Sequence, residues 1–229
     1  MGMFKYAKRR GYTSISISTF FKDMELSRKV FTNKIKSKES QIFSQEEIPI
    51  IINWLKEHPS VQNYGIILTF QTGIREGELV GLKYSDIVGK VIHIQRQEIK
   101  YKDKETNINI REIVEYVKTE AGNRYIILPP QALETINNIR KLNPFGEYMM
   151  MKGDKRISAQ SFNDYLYKAC DGCGLPRRSM HKIRKTYGTT LIDNGAEDSL
   201  IMSQMGHSNI ETTRKYYYYA NKSMDYIYE

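Results

Sequence analysis

The spacing of apolar residues changes twice along this chain, and that alternation limits the folds open to it. From Ser44 to Leu82 apolar positions recur at helical spacing. Ser44-Gln45-Glu46-Glu47 reads as a capping box opening a helix to about Glu57, which His58-Pro59 ends. A second helix is predicted from Val61 to Thr72, stopped by Gly73, and a short one from Arg75 to Leu82. Strand-like segments follow at Val91 to Gln95, Ile113 to Thr119 and Arg124 to Leu128, with a polar hairpin excursion over 98–110. Glu120-Ala121-Gly122-Asn123 is read as the turn between the last two. Pro129-Pro130 then opens a helix to about Leu142. Further helices are expected over Ser158 to Asp171, His181 to Asp193, Asp198 to Met205 and Ile210 to about Tyr219. The fold class is therefore α+β, mostly α-helical, with one small antiparallel β-sheet.

Charge narrows the partners. The chain has 35 Lys and Arg against 26 Asp and Glu, a net charge of +9. Residues 1–40 hold ten of the basic residues and three of the acidic ones. The excess thus sits in an N-terminal arm, a pattern suited to a phosphate backbone. Met3 to Arg10 reads as the last turns of a helix stopped by Gly11, suggesting a chain cut from something longer, and residues 12–40 read as a linker. No apolar run approaches membrane-spanning length, and the N-terminus lacks the apolar core of a signal peptide. Cys170 and Cys173 form a lone C-x-x-C without the second pair a zinc site needs, and are read as ordinary small residues. His58 reads as a helix C-terminal residue, and His93 as a packed or solvated histidine with no obvious partner.

The chemistry is concentrated in Met180 to Tyr216. His181 and Arg184 stand three apart at the opening of a helix, so they share a face that can hold a phosphate. Gly206-His207-Ser208 follows, then four tyrosines, Tyr216 to Tyr219. Each feature alone is weak. Arg75 beside Glu76-Gly77-Glu78, taken alone, reads as a salt-bridging surface arginine. Lys118 beside a turn reads as a solvated lysine, His207 as a helix end, and the tyrosines as packing residues.

The order of the set is more specific. Thr72-Gly73-Ile74-Arg75 with Glu78-Leu79 comes first, then Lys118 at a hairpin, then His181 and Arg184 as H-x-x-R. Met205-Gly206-His207-Ser208 and Tyr216, nine residues past His207, complete it. This series resembles the tyrosine recombinase, or phage integrase, family over about residues 43 to 220. Met205 stands where the family has Leu. The resemblance implies a tyrosine-recombinase catalytic domain over 43–229. Residues 1–42 would then be a remnant of the preceding DNA-binding domain's helix plus a basic interdomain linker.

The resemblance also implies transesterification at a DNA phosphodiester. Arg75 and Arg184 would stabilise charge on the non-bridging oxygens, since guanidinium forks fit phosphate bidentately. His181 and His207 would add donors, with His181 also a proton acceptor. Lys118 would protonate the 5′-oxygen leaving group, and Tyr216 would form a 3′-phosphotyrosyl bond, with Tyr217 the next candidate. No cofactor and no metal are implied. The implied partners are double-stranded DNA attachment sites, four protomers in a synaptic complex and accessory DNA-bending or directionality factors. The fragment alone is expected to be a monomer in the cytoplasm of a bacterium, serving integration and excision of a prophage or conjugative transposon. In relatives the segment after the tyrosine packs on a neighbouring subunit, and Met224, Tyr226, Ile227 and Tyr228 offer such a contact here. Two other functions stay open from the sequence: a type IB topoisomerase-like relaxing enzyme, and a catalytically silent DNA-binding module.

Overall fold

The computed structural model describes residues 2–15, 41–117 and 119–209. Lys118, Tyr216, the expected helix from Ile210 to Tyr219, residues 16–40 of the expected linker and the tail from Asn221 lie outside the described residues. The chain divides into two compact units, Met1–Lys36 and Ser37–Glu229. The first contributes α1 (Gly2–Arg9), after which Gly11 adopts a left-handed conformation at φ 72°.

The second unit is built around a buried helix. α2 (Glu47–Glu57) opens with the expected reciprocal cap. Glu47 N donates to Ser44 Oγ at 3.3 Å, and Ser44 N donates to the Glu47 carboxylate at 2.8 Å. α3 (Val61–Thr72) begins with Asn63 N donating to Ser60 Oγ and ends at left-handed Gly73, φ 63°. Nine of its twelve residues are buried. It packs against α2, α5 (Pro130–Leu142), α6 (Ala159–Gly172) and α7 (Met180–Asp193). Gly65 allows the close approach of α6: a Cβ there would stand 2.5 Å from the Phe162 ring. The core gathers Phe43, Ile51, Leu55, Ile66, Leu68 and Phe162 with apolar residues of every neighbouring element.

The helix expected from Arg75 to Leu82 is shorter, α4 (Glu76–Leu79). Leu82 leaves it because its carbonyl accepts Met149 N at 2.8 Å, and Gly81 lies against the backbone of Arg96.

The strands differ from expectation in number and pairing. The antiparallel sheet of β1 (Ile87–Val88), β2 (Val91–Ile94) and β5 (Arg124–Ile127) is ordered β1-β2-β5. A separate hairpin pairs β3 (Gln97–Lys102) with β4 (Asn109–Val114). A third small ladder joins β6 (Met151–Lys152) and β7 (Lys155–Arg156) through left-handed Gly153. The described residues therefore hold three small antiparallel sheets where one was expected. The strand expected over Ile113 to Thr119 ends at Val114. Beyond it, Glu115 turns to Arg96 Nε at 2.7 Å and Val117 turns onto the core. The chain crosses there from the hairpin to the sheet, and Glu120–Gly122 forms a 3₁₀ turn before β5.

His93 has partners after all: it stacks on Tyr125 at 4.4 Å and bonds Asn123 at 2.7 Å. His58 caps α2, its Nδ1 2.8 Å from the Trp54 carbonyl. α8 (Asp198–Met205) ends at left-handed Gly206 and packs on β5. Cys170 is buried and Cys173 half-buried, both as free thiols.

Candidate active site

Arg75 sits two residues past the left-handed stop of α3 and is the first cap residue of α4. Buried Ile74 anchors the link between them. The Arg75 amide donates to Glu78 Oε2 at 3.1 Å, and its Nη1 donates to Glu78 Oε1 at 2.6 Å. Its Nη2 reaches across the sequence to the Gly206 carbonyl at 3.0 Å. The Arg75 side chain is 38% exposed, so a ligand can still reach it.

Glu78 is the hub. Its side chain is 2% exposed and also accepts both Nη atoms of Arg124, at 3.0 and 2.9 Å. Burial pushes the Glu78 carboxyl up. The Arg124 hydrogen bonds and the charges of Arg124, Arg75 and Arg184 outweigh that and hold it at about 2. Arg124 Nε donates to the Gln204 carbonyl at 3.0 Å, and Gln204 Oε1 accepts Ile127 N at 3.0 Å. These bonds fix the end of α8, and hence Gly206 and His207, to the sheet.

α7 brings the second arginine. Its first amide, Met180 N, donates to Asn163 Oδ1 at 2.9 Å, while Asn163 Nδ2 donates to Glu76 at 2.7 Å. His181 is exposed to the cleft at the next position. Desolvation lowers its pKa, and the charges of Lys185, Arg184, Lys182 and Arg75 lower it further. Arg184, one turn on, is 2% exposed. Its Nη1 donates to the Gly73 carbonyl at 2.6 Å and its Nη2 to the Met205 carbonyl. The same Nη2 lies 3.2 Å from His207 Nε2. Arginine offers no acceptor, so Nε2 accepts and His207 carries its proton on Nδ1. Burial and the charges of Arg184, Arg75 and Arg124 push His207 down to about 3, so the ring is neutral.

Two adjoining clefts expose this set. One, of about 400 Å³, is lined by Arg75, His181 and Arg184 together with the β3–β4 hairpin. The other, of about 290 Å³, is lined by Arg75, Glu78, His207 and Ser208 with Val117 and Thr119. Arg75 stands between them. Four of the six residues expected from the sequence, Arg75, His181, Arg184 and His207, are thus brought together. The other two, Lys118 and Tyr216, lie outside the described residues, although both neighbours of Lys118 line the second cleft. Among the described residues no group of three His, Cys, Asp or Glu converges as a metal site.

Sequence reasoning missed Glu78, Arg124 and Gln204 as supports. Arg124 stands two residues before inward-facing Ile126 on β5, a signal that it too points inward and needs a carboxylate. Glu78 stands three residues after Arg75, the spacing of a reciprocal cap.

The phage integrase family model matches residues 41–224. A tyrosine recombinase XerC-like protein of Caldanaerobacter subterraneus subsp. tengcongensis is 30% identical, over 78% of this chain and 50% of its own length. The chain thus spans half the length of that relative. Tyrosine recombinase XerC of Staphylococcus aureus strain JH9 is 24% identical over 98% of this chain and 80% of its own length. Among solved structures, the Tn1549 transposon integrase in complex with circular intermediate DNA superposes with a TM-score of 0.69 at 18% identity, covering 96% of this chain and 81% of that one. A lambda integrase dimer bound to a COC′ core site gives 0.60 at 17% identity, covering 93% and 55%. These likenesses establish the fold. With the family match running through all four clustered residues, they place the chain in the phage integrase family.

Proposed function

We propose that this chain is a site-specific DNA recombinase that cuts and rejoins DNA through a 3′-phosphotyrosyl intermediate. The observation that carries the reading is the convergence of Arg75, His181, Arg184 and His207 on adjoining clefts. Two guanidiniums and two neutral imidazoles suit a pentacoordinate phosphorus, where negative charge grows on the non-bridging oxygens. In the first step the Tyr216 oxygen attacks phosphorus and its proton passes to His181, whose lowered pKa keeps it neutral and able to accept. The bond from phosphorus to the 5′-oxygen breaks, and Lys118 protonates that oxygen. A 5′-hydroxyl then attacks the phosphotyrosine and releases Tyr216, conserving the ester.

In this reading residues 43–229 are the catalytic domain, and residues 1–42 are a helix of a DNA-binding domain followed by a basic interdomain linker. The substrate is a pair of double-stranded attachment sites, held by four protomers in the cytoplasm with accessory DNA-bending or directionality factors. The circular intermediate bound by the Tn1549 integrase supports a role in excision and integration of a mobile element.

The test is covalent trapping. The chain is incubated with supercoiled plasmid and nicked duplexes at low salt without added metal, and the denatured products are examined for a protein–DNA adduct. An adduct lost in Tyr216→Phe and kept in Tyr217→Phe is expected. The reverse pattern moves the nucleophile by one residue. DNA binding without an adduct would overturn the catalytic reading.

A further inference from the structure

The β3–β4 hairpin sets two like charges against each other beside the catalytic residues. Lys100 of β3 and Arg111 of β4 are directly paired across the ladder. Such pairing of like charges is destabilising in a free hairpin. Both side chains line the same cleft as Arg75, His181 and Arg184. Lys102 shares their face of the hairpin, opposite Asn109. The other face carries Gln97, Ile99, Tyr101, Ile110, Glu112 and Val114.

Acids near this pair are already engaged. Glu98 holds Arg156 at 2.5 Å and accepts Ala159 N at 3.1 Å. Glu76 is bonded by Asn163 at 2.7 Å. Arg75 and Arg184 have their own partners in Glu78 and in the Gly73 carbonyl. Among the described residues, the Lys100 and Arg111 side chains make no hydrogen bond or ion pair. Two exposed cations without an acidic partner therefore stand together on one cleft wall.

We propose that Lys100 and Arg111 form a second phosphate subsite, which takes the DNA backbone phosphate next to the one held by Arg75 and Arg184. The proposal rests on the recombinase reading of the cleft. The subsite would fix the register of the strand, so that the phosphate presented to the catalytic set is selected by its neighbour.

The experiment compares the full chain with a Lys100→Ala/Arg111→Ala double variant and with a Lys56→Ala/Lys141→Ala control, which removes the same charge from exposed helical positions elsewhere. Binding to a fluorescein-labelled 30-base-pair duplex of mixed sequence is measured across a salt series. The cleft variant is expected to lower the slope of log affinity against log salt by about 1, with the control changing it far less. Its melting temperature without DNA is expected to equal or exceed that of the unmodified chain. An equal slope change in the two variants overturns the subsite, because net charge alone then explains the effect. An unchanged slope in the cleft variant does the same. A lower melting temperature also counts against it, since the pair would then be part of the structure. Covalent trapping on the same proteins separates the two readings: an adduct with an unchanged slope removes only the subsite, and a lowered slope without an adduct removes only the chemistry.

Discussion

A buried carboxylate between two guanidiniums tolerates little change. Glu78→Gln would leave Arg124, itself almost fully buried, without a counter-charge. The expected cost is about 3 kcal/mol or more of unfolding free energy, read from a denaturant titration. A loss under 1 kcal/mol would show that Glu78 is not the hub described. Arg184→Lys keeps the charge but cannot reach the Gly73 and Met205 carbonyls together. On the proposed chemistry it should slow adduct formation on the order of 100-fold. Single-turnover cleavage of a nicked duplex would measure this, and a near-normal rate would refute it. Acid acts on the same residues. His207, held near 3 against an ordinary 6.5, binds its proton in the unfolded chain first. Its contribution is complete above pH 6.5 and is lost as pH falls from 6.5 towards 3. Glu78, near 2 against 4.5, adds stability that is complete above pH 4.5 and is lost as pH falls towards 2. The unfolding midpoint should therefore drop in two successive windows. His207→Asn should shrink the upper one, and an undiminished drop between pH 6.5 and 4.5 would contradict the assignment.

At the level of elements, the sequence was most legible where local chemistry decides the outcome. The Ser44 cap, the Ser60-to-Gly73 span of α3 and the Pro129-Pro130 opening of α5 each depend on residues within a few positions of one another. The strands were less legible because their partners are distant. Nothing within Ile113 to Thr119 says that β4 will turn back on β3 while β5 pairs with β2 across some thirty residues. The end of α4 was hidden for the same reason, since Met149 supplies the bond that draws Leu82 out. The catalytic side chains were readable as an ordered set. Their supports, Arg124 and Gln204, were not, because they act through contacts 46 and 77 residues long. Gly73 joins the local and distant arguments. A Cβ there would combine a φ of 63° with a 2.2 Å approach to the Tyr187 ring. Gly73→Ala is expected to lower the melting temperature by several degrees, corresponding to a cost of about 2 kcal/mol. Calorimetry that finds no change would show that the α3 stop relaxes freely.

At the scale of the whole molecule, the second unit is a helical body whose central helix presents one end to the clefts, with the sheet and hairpin as a wall beside it. Its motif segments are far apart in sequence. Arg184 ties residues 111 positions apart, and Arg75 ties residues 131 positions apart. These guanidiniums lock onto backbone carbonyls before any nucleic acid arrives. The groups that shape the anion site therefore also close loops of more than a hundred residues, contacts of a kind that form late in folding. In a cell, replacing either arginine would lower the standing amount of protein along with the rate per molecule. A screen that scores only recombinant products would attribute both losses to chemistry.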